Sequence, residues 1–200
     1  MDQLIKEIRA CRLCEDKLPL GPRPILSVHR DSKVIIIGQA PGTKVHASGI
    51  PWDDQSGKTL RSWMNISNEE FYDSQKIAII PMGFCYPGKG RSGDLPPRPE
   101  CAETWHEQLL SKMQSVELVL LIGQYAQRAY LDQSEKRNLT ETVRRFDEFG
   151  PKFLPLPHPS PRNRFWLQKN PWFEMVVIPY LQLRLEQINL IKREFKLKLK

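Results

Sequence analysis

The run Lys33-Val34-Ile35-Ile36-Ile37-Gly38 constrains this chain more than any other feature. Val34 to Ile37 are all β-branched, so the segment favours extended backbone and has no polar face to turn toward water. A strand of this kind is covered on both sides, as in a parallel sheet packed between helices. Similar segments follow at 77–80, 117–122 and 153–156, and the first strand is expected over 33–38. Helical spacing of apolar residues is expected at 2–10, 59–65, 101–114, 124–131, 138–147 and 172–196. Strands alternating with helices predict an α/β protein, a three-layer α/β/α sandwich around a mostly parallel four-stranded sheet. The 200 residues suit one domain. Its expected parts include an N-terminal helix and C-x2-C segment over 1–30 and a C-terminal helix over 172–200.

Composition narrows the function classes. No apolar run is long enough to span a bilayer, and the start Met1-Asp2-Gln3-Leu4 lacks a signal-peptide core, so the expected location is cytoplasmic with no membrane partner. The net charge of +7 favours approach to a polyanion. Part of that excess sits in the tail at Lys192, Arg193, Lys196, Lys198 and Lys200, which also reads as a solvated helix end.

In parallel sheets ligands bind beyond the carboxyl ends of the strands. The residues there are Gly38-Gln39-Ala40-Pro41-Gly42, Pro81-Met82-Gly83-Phe84-Cys85, Gly123-Gln124 and His158-Pro159-Ser160-Pro161-Arg162-Asn163. All four strand ends carry glycine, proline or polar side chains suited to a site.

The 4 cysteines are Cys11, Cys14, Cys85 and Cys101. Cys11 and Cys14 form a C-x2-C pair, and no cysteine is left over once the other two join them. In a cytosolic chain this argues for a metal centre over disulfides. Four thiolates fit tetrahedral zinc or an iron–sulfur cluster, and their chemistry leaves both open.

The cysteine spacing is similar to that of the iron–sulfur branch of uracil-DNA glycosylases, family 4. Gly38-Gln39-Ala40-Pro41-Gly42 resembles that family's Gly-Glu-Ala-Pro-Gly, and Pro51-Trp52 stands where it has Pro-Phe. Ser56-Gly57 resembles the small pair that follows. Leu121-Ile122-Gly123 resembles the strand–glycine–helix unit, and His158 to Asn163 matches a stretch of single-strand-selective monofunctional uracil glycosylases. The resemblance covers residues 11–165. It implies a structural 4Fe-4S cluster on Cys11, Cys14, Cys85 and Cys101, and a DNA glycosylase acting as a monomer on DNA that contains a damaged base.

The resemblance also implies roles. Trp52 stacks on the extruded base, with Ala40, Pro41, Gly42, Pro81 and Gly83 around it. Stacking of this kind is worth roughly 1–3 kcal/mol. His158 meets the negative charge that develops on the departing base. Ser56, Lys58, Ser160, Arg162 and Asn163 contact DNA, with Lys44 a further phosphate contact. Each residue also has a plainer role: His158 and Trp52 as core groups, the lysines and Arg162 as surface charge. His29, His46 and His106 carry no supporting pattern.

Two positions depart from the family. Gln39 stands for glutamate, and Ala40 for the aspartate of related families, so neither is a general base. Gln39 can still hydrogen-bond a water or the base. Asp53 or Asp54 can supply a carboxylate, or can cap the helix expected near 59. Pro81 stands where family 4 has the asparagine that reads uracil, and proline offers only a carbonyl. Gly83, Phe84 or Tyr86 then reshape the pocket for another lesion. The expected function is excision of a damaged or deaminated base, uracil or a relative. The alternative is a DNA- or nucleotide-binding module that kept the fold and lost catalysis.

Overall fold

Strands β1 (Val34–Ile37), β2 (Ile77–Ile79), β3 (Leu118–Ile122) and β4 (Phe153–Leu156) form one sheet in the order β2-β1-β3-β4. Every pairing is parallel, with Ile36 opposite Ile79 on one side and Leu120 on the other, and Leu120 opposite Leu154. The computed structural model describes residues 1–91, 93–131 and 138–190. The basic tail at Lys192, Arg193, Lys196, Lys198 and Lys200, with the distal part of the helix expected over 172–196, lies outside the described residues.

Alternation along each strand builds two cores. Val34, Ile36, Ile77, Ile79, Leu118, Leu120, Leu154 and Leu156 face one. Ile35, Ile37, Ala78, Ile80, Val119 and Leu121 face the other. Helix α1 (Asp2–Arg9) covers the second core through Leu4 and Ile8. Helices α2 (Thr43–Ser48) and α3 (Gln55–Met64) follow β1, and α3 contributes Leu60, Trp63 and Met64 to the first core. Helix α4 (Asn68–Tyr72) adds Phe71 and begins with a Ser67–Glu70 capping box. This is the three-layer sandwich expected from the sequence. Pro155 is accommodated because β4 is an edge strand, where a missing N–H interrupts no second ladder.

After β2 the chain runs through a π-helical turn, Ala102–His106, into α5 (Glu107–Leu110). Helices α6 (Gln124–Tyr130), α7 (Leu139–Arg144) and α8 (Arg164–Lys169) flank β3 and β4. The expected terminal helix is present, opening as a π-helical turn, Phe173–Val177, that runs directly into α9 (Ile178–Gln187). Pro179 accounts for the wide turn: it has no N–H to donate and its ring crowds the carbonyl four residues earlier, which widening of the turn relieves. Three short helices, α2, α4 and α8, escaped the periodicity reading because each is too brief to show a period. The helix expected over 59–65 starts at Gln55 because Asp54 caps it.

The strand order changes direction between β1 and β3. Crevices at such switch points are where open α/β sheets bind ligands.

Candidate active site

A cavity of about 640 Å³ opens at that switch point. Residues after all four strands line it: Gly38 to Gly42 after β1, Pro81 after β2, Gln124 after β3, and His158, Ser160, Arg162 and Asn163 after β4. Pro51, Trp52, Asp54 and Ser56 close one side. Most of the predicted site residues therefore meet in one place.

Trp52 and His158 are neighbours, with ring centroids 5.5 Å apart and planes inclined by 32°. Trp52 has φ of 57°, a left-handed conformation that bulky residues rarely adopt and that costs on the order of 1–3 kcal/mol. Its surroundings hold it there. A Cβ on Gly57 would come to 1.8 Å from the Trp52 carbonyl oxygen, and a Cβ on Gly38 to 2.9 Å from Cζ2 of the indole. Arg61 Nη1 donates to the Trp52 carbonyl at 3.4 Å and to the Tyr72 hydroxyl at 3.3 Å. The two glycines thus exist to let the start of α3 and the end of β1 close on one tryptophan.

His158 is fixed at its backbone: Nδ2 of Asn163 donates to the His158 carbonyl at 2.7 Å. The Ser160 hydroxyl accepts from the Arg162 N–H at 3.2 Å and caps the 161–163 turn. Ser160 and Asn163 therefore shape the loop that presents His158. Burial lowers the imidazole's pKa, and the Asp54 charge partly opposes it. A ring held neutral at pH 7 keeps one N–H to donate. Gly123, at φ of 81°, turns the chain from β3 into α6 beside the His158 Cβ, in a conformation that favours glycine.

Asp54 does two jobs. Its Oδ1 accepts from the Gly57 N–H at 2.8 Å, capping α3, and the side chain also lines the cavity close enough for its charge to act on His158. The capping role weighed from the sequence is real, and it leaves the carboxylate at the site.

Several expectations need correction. Gly83 is buried against Pro97 and Arg98 and is not among the cavity's lining residues. Its N–H is bonded to the Gln39 carbonyl at 2.9 Å, so it shapes the β1 turn from behind. Lys58 and Lys44 are exposed outside the lining, where a phosphate contact or a plain surface charge would stand. Lys58 falls on the outer side of α3, whose first turn buries Ser56 and Gly57. Pro81 does line the cavity, where it brings no side-chain donor and its carbonyl already accepts from His106 Nε2 at 3.1 Å. His106, which carried no pattern in the sequence, is the buried anchor of this loop: its Nδ1 accepts from the Tyr130 hydroxyl, which sets the tautomer. Gln39 lines the cavity while its Nε2 donates to the Leu95 carbonyl at 3.0 Å.

Sequence reasoning missed Asp94, which lines the cavity from the turn after the third cysteine. It sits in a Pro- and Gly-rich stretch without periodicity. The one available signal was the Gly88 to Gly93 spacing of a tight turn. Burial raises its carboxyl pKa, with Arg162 and Lys89 opposing.

Cys11, Cys14, Cys85 and Cys101 all line one small recess on the far side of the 22–25 segment, although the first pair is distant in sequence from the second. Among the described residues no group of three or more His, Cys, Asp or Glu side chains stands ready to hold a metal ion. Burial pushes the Cys85 thiol up to about 11 and Cys101 up to about 12. The Phe84 N–H donates to Cys101 Sγ at 3.4 Å. Beside them Arg98 binds Glu100, whose carboxyl is held down to about 2 chiefly by that hydrogen bond.

No described helix is long and apolar enough to cross a membrane. The sequence profile of the uracil DNA glycosylase superfamily matches residues 27–182, a span that includes every strand and every residue of the large cavity except Ile25. With the parallel sheet, the switch-point cavity and that match in agreement, the chain belongs to the uracil DNA glycosylase superfamily.

Proposed function

We propose that this protein is a monofunctional DNA glycosylase that extrudes a damaged or deaminated base and hydrolyses its N-glycosidic bond. The observation that carries the reading is the pairing of Trp52 and His158, 5.5 Å apart, on a cavity walled by all four strand ends. A base must leave the stack to be cut, and an aromatic face supports it outside the helix. When the C1′–N bond breaks, the base leaves with the bonding pair and the sugar becomes oxocarbenium-like. The His158 N–H meets the negative charge on the base. A water oxygen then bonds to C1′, its proton passing to the Asp54 carboxylate or to solvent. Gln39 and Ala40 take no part as bases. The cavity is built from one chain, which suits a monomer. Arg162 among its lining residues and the net charge of +7 suit DNA as the partner.

We infer that the four cysteines hold a 4Fe-4S cluster, with zinc the alternative, because all four residues line one recess although they come from three separate segments. Cys11 and Cys14 would hold it from the N-terminal segment, Cys85 and Cys101 from the loop after β2. Its chemistry there is structural, tying these segments together. Arg98, on the wall of the same recess, supplies a counter-charge to a thiolate set.

The test is a base-release assay of purified protein on oligonucleotides carrying uracil, hypoxanthine, xanthine or 8-oxoguanine. Release from at least one, lost about 100-fold in His158→Ala while DNA binding persists, is the expected outcome. Binding without release from any substrate supports the DNA-binding module instead, for which the absence of a carboxylate at 39 and 40 speaks.

A further inference from the structure

The cavity lacks the side-chain amide that would read a base edge at position 81, and the Pro81 carbonyl already accepts from His106. Three other polar lining groups are each engaged through one atom, and Arg162 acts on Asp94 from the same lining. The Gln39 amide donates to Leu95, the Asn163 amide to His158, and the Ser160 hydroxyl receives Arg162. Asp94 enters from the opposite wall. Its turn is held by bonds from the Leu95 N–H to the Gly88 carbonyl at 2.9 Å and from the Gly90 N–H to the Gly93 carbonyl at 2.6 Å. The carboxylate reaches over Gly42, with Oδ2 3.5 Å from where a Cβ there would stand. Trp52 packs on Gly38 at the other end of the same turn. A base stacked on the indole therefore shares the cavity of about 640 Å³ with the Asp94 carboxylate, over a turn whose small residues are Gly38, Ala40 and Gly42.

Resting on the glycosylase reading, we infer that Asp94 is a specificity-determining residue that accepts N–H donors from the edge of an extruded purine-type base. A carboxylate only accepts hydrogen bonds, so it favours an edge with a ring N–H beside an amino group and opposes a carbonyl pointed at it. Uracil flanks its one free ring N–H with two carbonyls. Gln39 is the positioning residue: its amide N–H holds the backbone next to Asp94, and a glutamate there has no proton to donate.

The experiment compares kcat/KM on single lesions of 8-oxoguanine, xanthine, hypoxanthine and uracil for the wild type, Asp94→Asn and Gln39→Glu. The same ratios are read as binding affinities on duplexes whose lesion sugar is 2′-fluorinated to block cleavage. The wild type is expected to favour 8-oxoguanine over uracil. Asp94→Asn, which can donate to a carbonyl, is expected to move that ratio toward uracil by about tenfold or more, in keeping with the discrimination one paired base contact gives. Gln39→Glu moves it the same way by less. A ratio unchanged in Asp94→Asn, in both cleavage and binding, overturns the role of Asp94. No cleavage of any lesion by the wild type sinks the glycosylase reading, while the binding ratios still decide for or against Asp94.

Discussion

Asp54 separates a structural from a chemical role by a single atom. Its Oδ1 accepts from the Gly57 N–H at 2.8 Å, and the same carboxylate lines the cavity beside His158. In Asp54→Ala the Gly57 N–H loses its partner in the first turn of α3, at a cost of about 1 kcal/mol. For a chain of this size that lowers Tm by about 2–4 °C. Asp54→Asn behaves differently. Asparagine is an equal N-cap, and its Oδ1 can take the same bond. Only the attraction between the carboxylate and the helix N-terminus is lost, about 0.3–1 kcal/mol. The two variants therefore differ in stability but not in chemistry, since neither has a carboxylate. Thermal unfolding and single-turnover base release on the best substrate read the two properties apart. Both variants should lose about 100-fold or more in the chemical step, the usual worth of a positioned base. Asp54→Asn should fall less in Tm than Asp54→Ala, which loses the cap bond as well as the charge. Full activity in Asp54→Asn would refute the catalytic role and leave Asp54 as a cap alone. An Asp54→Asn protein as unstable as Asp54→Ala would refute the capping argument.

Gly57→Ala places a Cβ 1.8 Å from the Trp52 carbonyl, a backbone clash, whereas Gly42→Ala meets only Asp94 Oδ2 at 3.5 Å. The first should cost more than about 1–3 kcal/mol in denaturant unfolding and abolish activity, and the second should fold normally. His106→Leu leaves the buried Pro81 carbonyl without its donor, an expected loss of about 1–3 kcal/mol by the same measurement. Burial lowers the pKa of His46, His106 and His158 below their ordinary 6.5. The unfolded chain therefore binds more protons just below pH 6.5. Stability measured by urea unfolding should fall as pH drops through 6.5, and again below about 4.5 as the depressed Glu100 carboxylate loses its contribution. For the cysteine site, purified protein should absorb near 400 nm and contain iron and sulfide, and Cys85→Ser should lose both along with thermal stability. Stoichiometric zinc without colour would establish the alternative metal.

The layers of this fold were legible because burial on both faces leaves a sequence no choice. Val34 to Ile37 and Leu118 to Ile122 have nowhere polar to point, and their alternation into two cores follows from the pleat alone. The meeting of the 38–42 turn, Trp52 and His158 was legible for a related reason: strand ends of one parallel sheet share an edge. What stayed hidden was decided by contacts distant in sequence. Nothing local in Pro81 or His106 announces that an imidazole 25 residues on takes up the proline carbonyl. Lys58 and Ser56 are two residues apart, and which of them faces the cavity depends on where α3 begins, hence on the cap at Asp54. Asp94 lay in a stretch whose shape is set by turn hydrogen bonds and not by any period.

The exchange at position 39 follows from the same contacts. Read alone, glutamine in place of glutamate looks like a lost catalytic group. In the folded chain its Nε2 donates to the Leu95 carbonyl, a bond a glutamate carboxylate cannot make because it has no proton to offer. A negative charge at 39 would also face the Leu95 carbonyl oxygen at about 3 Å and stand in the same cavity as the Asp54 and Asp94 carboxylates. Like charges gathered in one site raise each other's pKa and weaken each as an anion. An amide at 39 and carboxylates at 54 and 94 are therefore one coherent arrangement. In this chain the residue at 39 secures the wall on which the Asp94 carboxylate stands.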